Sequence, residues 1–572
     1  MRNRLIAVLT LLGLLTGVAL IAGTSQARMT GRFTYDAEPG RPQLSGPADA
    51  RLLTQSGGVR SPARAPRVRA AQSSDDIQVN GDDKADPSQQ FGSGEGMPAN
   101  ETSIAINPTD HRNIIGGAND YESGVDSVMG IYSSFDAGKT WTWSRHTRQV
   151  ITPDRTMYGS GDPVIVFDSE GTAYSVFISF GRADCTSYIG ATRSTDKGVT
   201  WTVPVDAESD GTGLVVGDGI VVKNGGPADC SIFHDKEWSA AGPRPEGVPV
   251  VEGSDPEHIS PDRLYVTWTR FDFGPGGLVY VESPIYESHS DDQGRHWSEP
   301  QEISGSSAEF CAPQHGDPDT PSCDEDQFSV PVVDPRTGAV YVVYENFNTD
   351  STEFNQYLLV RSFDGGETWE GPFFVSEIAD GPDKYPVCFG SQTLDHMCAR
   401  TNAAGNIDID PRNGRLWVTF ADNRNGTMAD TNTDVFVVRS NDGGETWTDQ
   451  EQVTSSVDDQ WFPWLAVSPN GTVAIAYFDR QYTPPKLIDT SLSVFSTAGW
   501  LTRRVSEVSW NPDLAFRLGF FIGDYNGLDT TNTKAYPFWT DARFAEPNVP
   551  GNNPPHQQSD VMVDVEPLST RR

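Results

Sequence analysis

Between residues 134 and 447 the chain repeats one short pattern five times, S-x-D-x-G-x-(T/H)-W. The copies are centred on Asp136, Asp196, Asp292, Asp364 and Asp442, so the Asp spacings are 60, 96, 72 and 78 residues. A pattern recurring at such spacings marks an array of one supersecondary unit, each stacked on the next. It argues for one large domain rather than several unrelated ones.

Each copy closes a longer pattern. The clearest is "GNIDIDPRNGRLWVTFADNRNG" followed by "TDVFVVRSNDGGETW". It reads as strand, D-P-x-x-G turn, strand, loop, strand, motif, strand, because β-branched and aromatic residues lie between Gly, Pro, Asn and Asp punctuation. Parallel forms are "DPVIVFDSEGTAYSVFISF", "DRLYVTWTR", "FSVPVVDPRTGAVYVVYENF" and "WLAVSPNGTVAIAYFDR". "SIAINPTDHRNIIGGAND" opens the series, and "FIGDYNGLDTTNTKAYPFWTDAR" with "DVMVDVEPL" closes it. The count predicts an all-β fold: a β-propeller of seven units of roughly 65 residues and four strands each, with six blades as the alternative.

Within this unit the repeated motif has a mechanical role. Its Asp bonds amides of its own turn, its Gly supplies positive φ, and its Trp packs between strands. This is the Asp-box, and from about residue 95 to 568 the chain resembles the sialidase (neuraminidase) superfamily of Asp-box propellers. The boxed residues are read as scaffold.

Composition narrows the partners. A formal net charge of −37 over 572 residues opposes binding to nucleic acid, which needs a basic footprint, and to anionic membrane surfaces. Residues 1–27, with two Arg before an apolar run and small residues before Ala27, read as a secretory signal peptide, an uncleaved membrane anchor being the alternative. Residues 28–88 are rich in Arg, Pro, Ser and Gly and read as a disordered basic linker or pro-segment, leaving 89–572 for the propeller. Six Cys in an exported chain predict three disulfides: Cys311 with Cys323, Cys388 with Cys398, and Cys185 with Cys230 as the remainder. No CxxC or Cys/His cluster suggests zinc, and no phosphate loop, dinucleotide fingerprint or G-x-S-x-G is present, so no cofactor and no metal are expected. The acidic stretch "NGDDKADPS" offers oxygen ligands for Ca²⁺ but lacks the twelve-residue loop pattern. Nothing in the sequence sets an oligomeric state.

Strand parity locates the functional face. In a four-stranded blade running outward from the axis, the box lies between strands three and four. Segments leading into strand one and leaving strand two therefore share the opposite face, around the central funnel. Leading into strand one are Asp162, Asp235, Glu237, Asp326, Arg400, Asp459, Asp524 and Tyr525; leaving strand two are Asp120, Arg182, Arg270, Asn346, Asp422 with Arg424, Asp479 with Arg480, and Asp541 with Arg543. Such a rim either bridges blades by Asp–Arg pairs or lines a glycan site. Carboxylates supply acid–base chemistry to a sugar, and the planar guanidinium fork binds a carboxylate.

The resemblance assigns roles within that rim. Members of the superfamily use a Tyr nucleophile activated by a Glu, an Asp acid/base and three Arg that hold the sialic acid carboxylate. It implies Tyr525 as nucleophile, Asp459 in the place of the Glu, Asp434 as acid/base, and Arg400, Arg424, Arg480 and Arg543 with Asp524 as substrate-binding groups. The implied function is a secreted glycoside hydrolase acting on glycans, with exo-α-sialidase the named candidate and a non-catalytic glycan- or protein-binding propeller the alternative. The sequence departs from the family at "PANETSIAINP", where the R-I-P motif would place its first Arg and none is found. It also places Asp where the family has Glu, and crowds the candidates into blades five to seven.

Overall fold

The computed structural model describes residue 44 and residues 76–80, 98–121, 127–145, 159–181, 184–204, 219–226, 228–277, 279–313, 322–545 and 559–568. The expected signal peptide, most of the expected linker including 81–88, and Arg182 lie outside the described residues.

Seven antiparallel sheets stand round a common axis. The innermost strands, in ring order, are Ala99–Ile106, Gly159–Phe167, Ile232–Pro243, Asp326–Val333, Ile407–Ile409, Gln460–Val467 and Gly527–Thr530. Each touches the next, and the seventh touches the first. Blades one to six are each built from four consecutive strands, as the repeat predicts. Blade seven is different. Its inner three strands are Gly527–Thr530, Lys534–Asp541 and Asp560–Val563, but its outer strand is Ile77–Gln78, from the stretch read as linker. Ile77 pairs with Val563 and Gln78 with Met562. The ring is thus closed by strands from both ends of the fold.

The second strands explain why the blades stack. Val340–Asn346 and Val473–Asp479 are apolar at nearly every position and buried throughout. A strand covered on both faces reads as a continuous apolar run rather than an alternation. Neighbouring blades supply the two covers, and the largest core cluster runs unbroken from blade four to blade seven through Tyr357, Phe420, Trp461, Phe478 and Trp539.

All five boxes adopt one geometry at the turn after strand three. In the fifth, Ser440 Oγ donates to Asp442 Oδ1 at 2.7 Å, Gly444 N donates to Ser440 Oγ at 2.9 Å, and Thr446 N donates to Asp442 at 3.0 Å. Trp447 Nε1 closes the turn on the Gly444 carbonyl at 3.1 Å. In the third box His296 replaces Thr, and its Nδ1 lies 2.5 Å from Asp292 Oδ2. Burial raises the Asp442 carboxyl's pKa, but hydrogen bonds from Thr446 and Ser440 win and leave it low. The six cysteines pair as expected: Cys185–Cys230, Cys311–Cys323 and Cys388–Cys398.

Candidate functional site

The face opposite the boxes carries a local device that the alternation alone does not reveal. Where strand one begins, blades one, two, three, four and six each carry a β-bulge with a left-handed, non-glycine residue: Glu101 (φ 55°), Asp162 (56°), Lys236 (58°), Phe328 (54°) and Phe462 (49°). A bulge re-aims a side chain out of the pleat, and a non-glycine residue in this region costs on the order of 1–3 kcal/mol. Five repetitions of a costly conformation at equivalent places mark the axis as the place where side chains are gathered.

Three of these residues meet one another or a common partner. Asn119 donates to Asp162 Oδ1 at 2.9 Å and also to Glu101 Oε2, while Asp162 N donates back to Asn119. Lys236 Nζ bonds the Asp524 carboxylate, and Arg400 donates to the same carboxylate from Nε at 2.8 Å and again from Nη2. Lys236, Arg400 and Asp524 are all buried. Burial pushes the Asp524 carboxyl up, but Arg400 and Lys236 outweigh it and hold it at about 2. Glu101 goes the other way. Burial and the charges of Asp162 and Asp524 lift it well above the carboxylate range, and burial raises Asp162 as well.

Two adjoining pockets open on this cluster, of about 310 and 340 Å³ counted out to solvent, with Lys236 and Phe328 shared between them. The first is lined by Glu345, Asp380, Gln392, Arg400, Asn402 and Asp524. Glu345 and Asp380 form a second carboxyl pair: burial and Asp380 drive Glu345 well upward, and burial brings Asp380 to about 7. Gln392 and the Ala403 amide donate to Asp380.

The second pocket is lined by Glu237, Trp238, Trp464 and Tyr525. Trp238 and Trp464, from blades three and six, meet with ring centroids 4.5 Å apart, and Tyr525 stands edge-on to Trp238 at 5.3 Å. The Tyr525 hydroxyl and both Glu237 carboxyl oxygens are buried and, among the described residues, have no hydrogen-bond partner. Burial, with the charge of Asp162 beside it, lifts Glu237 well above the usual carboxylate range. Burial, Asp162 and Glu101 lift the Tyr525 phenol well above its usual value. Leu44 touches the same region: its carbonyl accepts from Arg400 Nη1 at 2.8 Å, and its side chain is buried.

Of the residues singled out from the sequence, the structure brings Tyr525, Arg400 and Asp524 together at the funnel, with Asp162 and Glu237 from the rim. The other five catalytic or substrate-binding candidates, Arg424, Arg480, Arg543, Asp459 and Asp434, stand elsewhere, the first four in closed ion pairs. Arg424 is bound to Asp422, Arg543 to Asp541 and to Asp76, and Arg480 to Asp459 at 2.7 Å and Asp395 at 3.2 Å. Asp459 also accepts from Thr431 and the Thr433 amide, and Asp434 accepts from Asn425 and Thr454. None of these five residues lines either pocket. Strand-end Asp and Arg two residues apart satisfy each other locally, which is why Arg424 and Arg543 fold back on Asp422 and Asp541. Sequence reasoning passed over Glu101, Lys236, Glu345 and Asp380. Glu101 lies in the very stretch where an Arg was sought. The recurring irregular pair before each first strand, "NETS", "GDPV", "DKEW", "QFSV" and "WFPW", was the signal that would have found the bulges.

Among the described residues no group of three or more His, Cys, Asp or Glu is placed to hold a metal ion, and no helix is long and apolar enough to cross a membrane.

No family model matches the chain, and no curated protein matches it. Among solved structures it is similar to the α-L-arabinofuranosidase Arb93A of Fusarium graminearum, at 12% identity over 86% of this chain and 98% of that one, with a TM-score of 0.40. It is also similar to the Hadza microbial sialidase Hz136, at 13% identity over 82% of this chain and 66% of that one, with a TM-score of 0.38. A third is the phage phi92 endosialidase, at 11% identity over 84% and 70%, with a TM-score of 0.40.

Proposed function

We propose that the protein hydrolyses glycosidic bonds in glycans, with the funnel as its active site and Glu237 and Tyr525 at the reacting centre. One observation carries this reading: two buried polar side chains, without partners among the described residues, face one pocket, beside carboxyls whose pKa values are shifted in opposite directions. Buried polar groups are ordinarily satisfied, and carboxyls whose environments push their pKa values apart are the usual acid–base assignment. Glu237, whose pKa burial raises, is the proton donor to the leaving oxygen. The Tyr525 hydroxyl is the nucleophile, its proton passing to the carboxylate cluster beside it as its oxygen bonds the anomeric carbon and the leaving oxygen departs with the Glu237 proton. Water then cleaves the glycosyl–tyrosine bond, giving a proton to the Glu237 carboxylate while the tyrosine oxygen takes its own proton back from the cluster. Trp238 and Trp464, tilted against each other by 41°, give the sugar ring apolar contact.

Exo-α-sialidase is the form of this activity to which the family resemblance points. The charge layout favours a sugar without a carboxylate. Arg400 and Lys236 are both committed to Asp524, and Arg424, Arg480 and Arg543 to other carboxylates. A sialic acid would have to displace Asp524 from two cations at once.

The test is turnover of a fluorogenic sialoside and of a panel of neutral aryl glycosides by the purified protein. Hydrolysis of a neutral glycoside, lost in Glu237→Gln and in Tyr525→Phe while the fold is retained, is expected. Hydrolysis of nothing in either set overturns the reading. The second reading, a glycan-binding propeller without catalysis, is favoured by the closed Asp524 network, which leaves those cations nothing to offer a reacting group. Glycan binding without turnover would decide for it.

A further inference from the structure

The lip of the first pocket carries an aromatic pair that packing does not require. Disulfide Cys388–Cys398 anchors a two-stranded hairpin, Val387–Cys388 with Ser391–Gln392, in which Cys388 faces Ser391. The two residues at its tip, Phe389 and Gly390, both have positive φ, 51° and 87°. Such a tip favours Asn or Asp followed by Gly, and a bulky aromatic in the first place is strained. Phe389 is nevertheless 84% exposed, the most exposed large apolar side chain among the described residues. Its ring stands 4.6 Å from that of Phe520, itself exposed. Phe389 therefore gains little burial in return for an unfavourable backbone.

The pair is continuous with the funnel. Gln392, at the end of the hairpin, lines the first pocket and donates to Asp380. The Phe520 carbonyl accepts the Arg400 amide at 3.1 Å, and Arg400 lines the same pocket. The ring of Phe521, next in the chain, lies under the Arg400 guanidinium at 4.9 Å. So both rings are fixed to residues of the pocket wall, one through the hairpin and one through the backbone.

We propose that Phe389 and Phe520 form a second sugar subsite at the funnel mouth, stacking on the apolar face of a neutral sugar ring of the same glycan whose end enters the funnel. This rests on the glycan reading above and adds that the substrate is an oligosaccharide or polysaccharide extending across the lip. An exposed aromatic face offers C–H and dispersion contact to a ring without a charge, and no cation to a carboxylated one. The disulfide holds the hairpin in place, so the strained tip is paid for by a covalent anchor.

The experiment compares Phe389→Ala with the parent protein on two probes. One is the best-cleaved neutral aryl monoglycoside, and the other an oligosaccharide of the same sugar of four or more units. In parallel, retardation in native gels containing soluble neutral polysaccharides reads binding alone. The inference expects a KM for the oligosaccharide roughly 2- to 13-fold higher, the range of an aromatic contact, with the monoglycoside unchanged. Cys388→Ser with Cys398→Ser should give the same loss. Equal effects on both probes, no effect on the oligosaccharide, or no retardation of the parent protein by any polysaccharide overturns it. If the parent protein cleaves nothing but its retardation is lost in Phe389→Ala, the hydrolase reading falls and the subsite stands. Phe389 is surface-exposed, so the variant folds, which an unchanged melting temperature verifies.

Discussion

Asp524→Asn tests the axis most directly. The Asp524 carboxylate is buried and is the shared partner of two buried cations, whose side chains are 2% (Lys236) and 8% (Arg400) exposed. Removing one partner of a buried ionic cluster costs about 3–5 kcal/mol, because the remaining charge is left uncompensated in a poorly solvated place. For a cooperative unit of this size the unfolding entropy is roughly 1 kcal/mol per degree, so the melting temperature should fall by roughly 3 to 5 °C. The acid limb of the stability curve should change as well. A carboxyl depressed to about 2 contributes stability that is present above its unfolded value near 3.9 and lost as pH falls through the folded value. Asp524→Asn should therefore remove part of the loss seen between about pH 4 and pH 2. Glu101→Gln is the counterpart: burial and neighbouring carboxylates disfavour the charged form of Glu101, so the amide should leave the melting temperature unchanged or raise it. Differential scanning calorimetry of the three proteins across this pH range checks both. Equal effects of the two substitutions would refute the opposite directions of the two shifts.

Other measurements reach the scaffold. Asp442→Ala removes the acceptor for Thr446 and Ser440 in the fifth box and should cost about 1–3 kcal/mol, with funnel chemistry intact in the folded protein; selective loss of activity would contradict the scaffold role. Gly471→Ala should cost more than an ordinary surface change, because φ there is +77°, a conformation that residues with a Cβ rarely adopt; an unchanged melting temperature would contradict that backbone conformation. Burial raises Asp408 to about 7 and Asp529 to about 6. Carboxyls raised in this way stabilise the fold at low pH and lose that contribution as pH rises through the folded values, so the melting temperature should fall between about pH 4 and pH 7. Asp408→Asn should flatten that slope, and a slope left unchanged would argue against the burial effect.

The fold was legible because its repeating parts answer to local physics. The box needs a Ser, an Asp and a Gly at fixed offsets to close one turn, so five copies announce five blades wherever they fall. The continuous apolar runs of the second strands supplied the remaining two. Ile77–Gln78 was not legible: two residues in a polar, Gly- and Ser-rich stretch carry no periodicity, and only pairing with Asp560–Val563 makes them a strand. The face of the site followed from strand parity, which holds whatever the side chains are. Its membership did not. Arg480 and Asp459 sit in blade six at places suited to a ligand, but each finds the other at 2.7 Å, and nothing in the sequence shows that the pair is closed. Glu101 and Lys236 reach the axis through a bulge, a break in the alternation that a period-two reading passes over.

The seventh blade has a consequence for how the protein comes into being. Gln78 Nε2 donates to Asp560 Oδ1 at 2.9 Å across 482 residues of sequence. Bringing chain positions that far apart together costs about 5 kcal/mol of closure entropy, which the two-residue strand offsets only together with the packing of blade one on blade seven. The join is favourable only after the six intervening sheets have already curved the two ends into proximity. It is therefore the last event, and it demands both ends of the ring at once. A nascent chain keeps its early strand waiting until the late one is made, and a truncated copy lacking either leaves a raw edge for proteases and for other chains. Closure works as a clasp that fastens only on a whole molecule, so completeness is inspected by the fold itself.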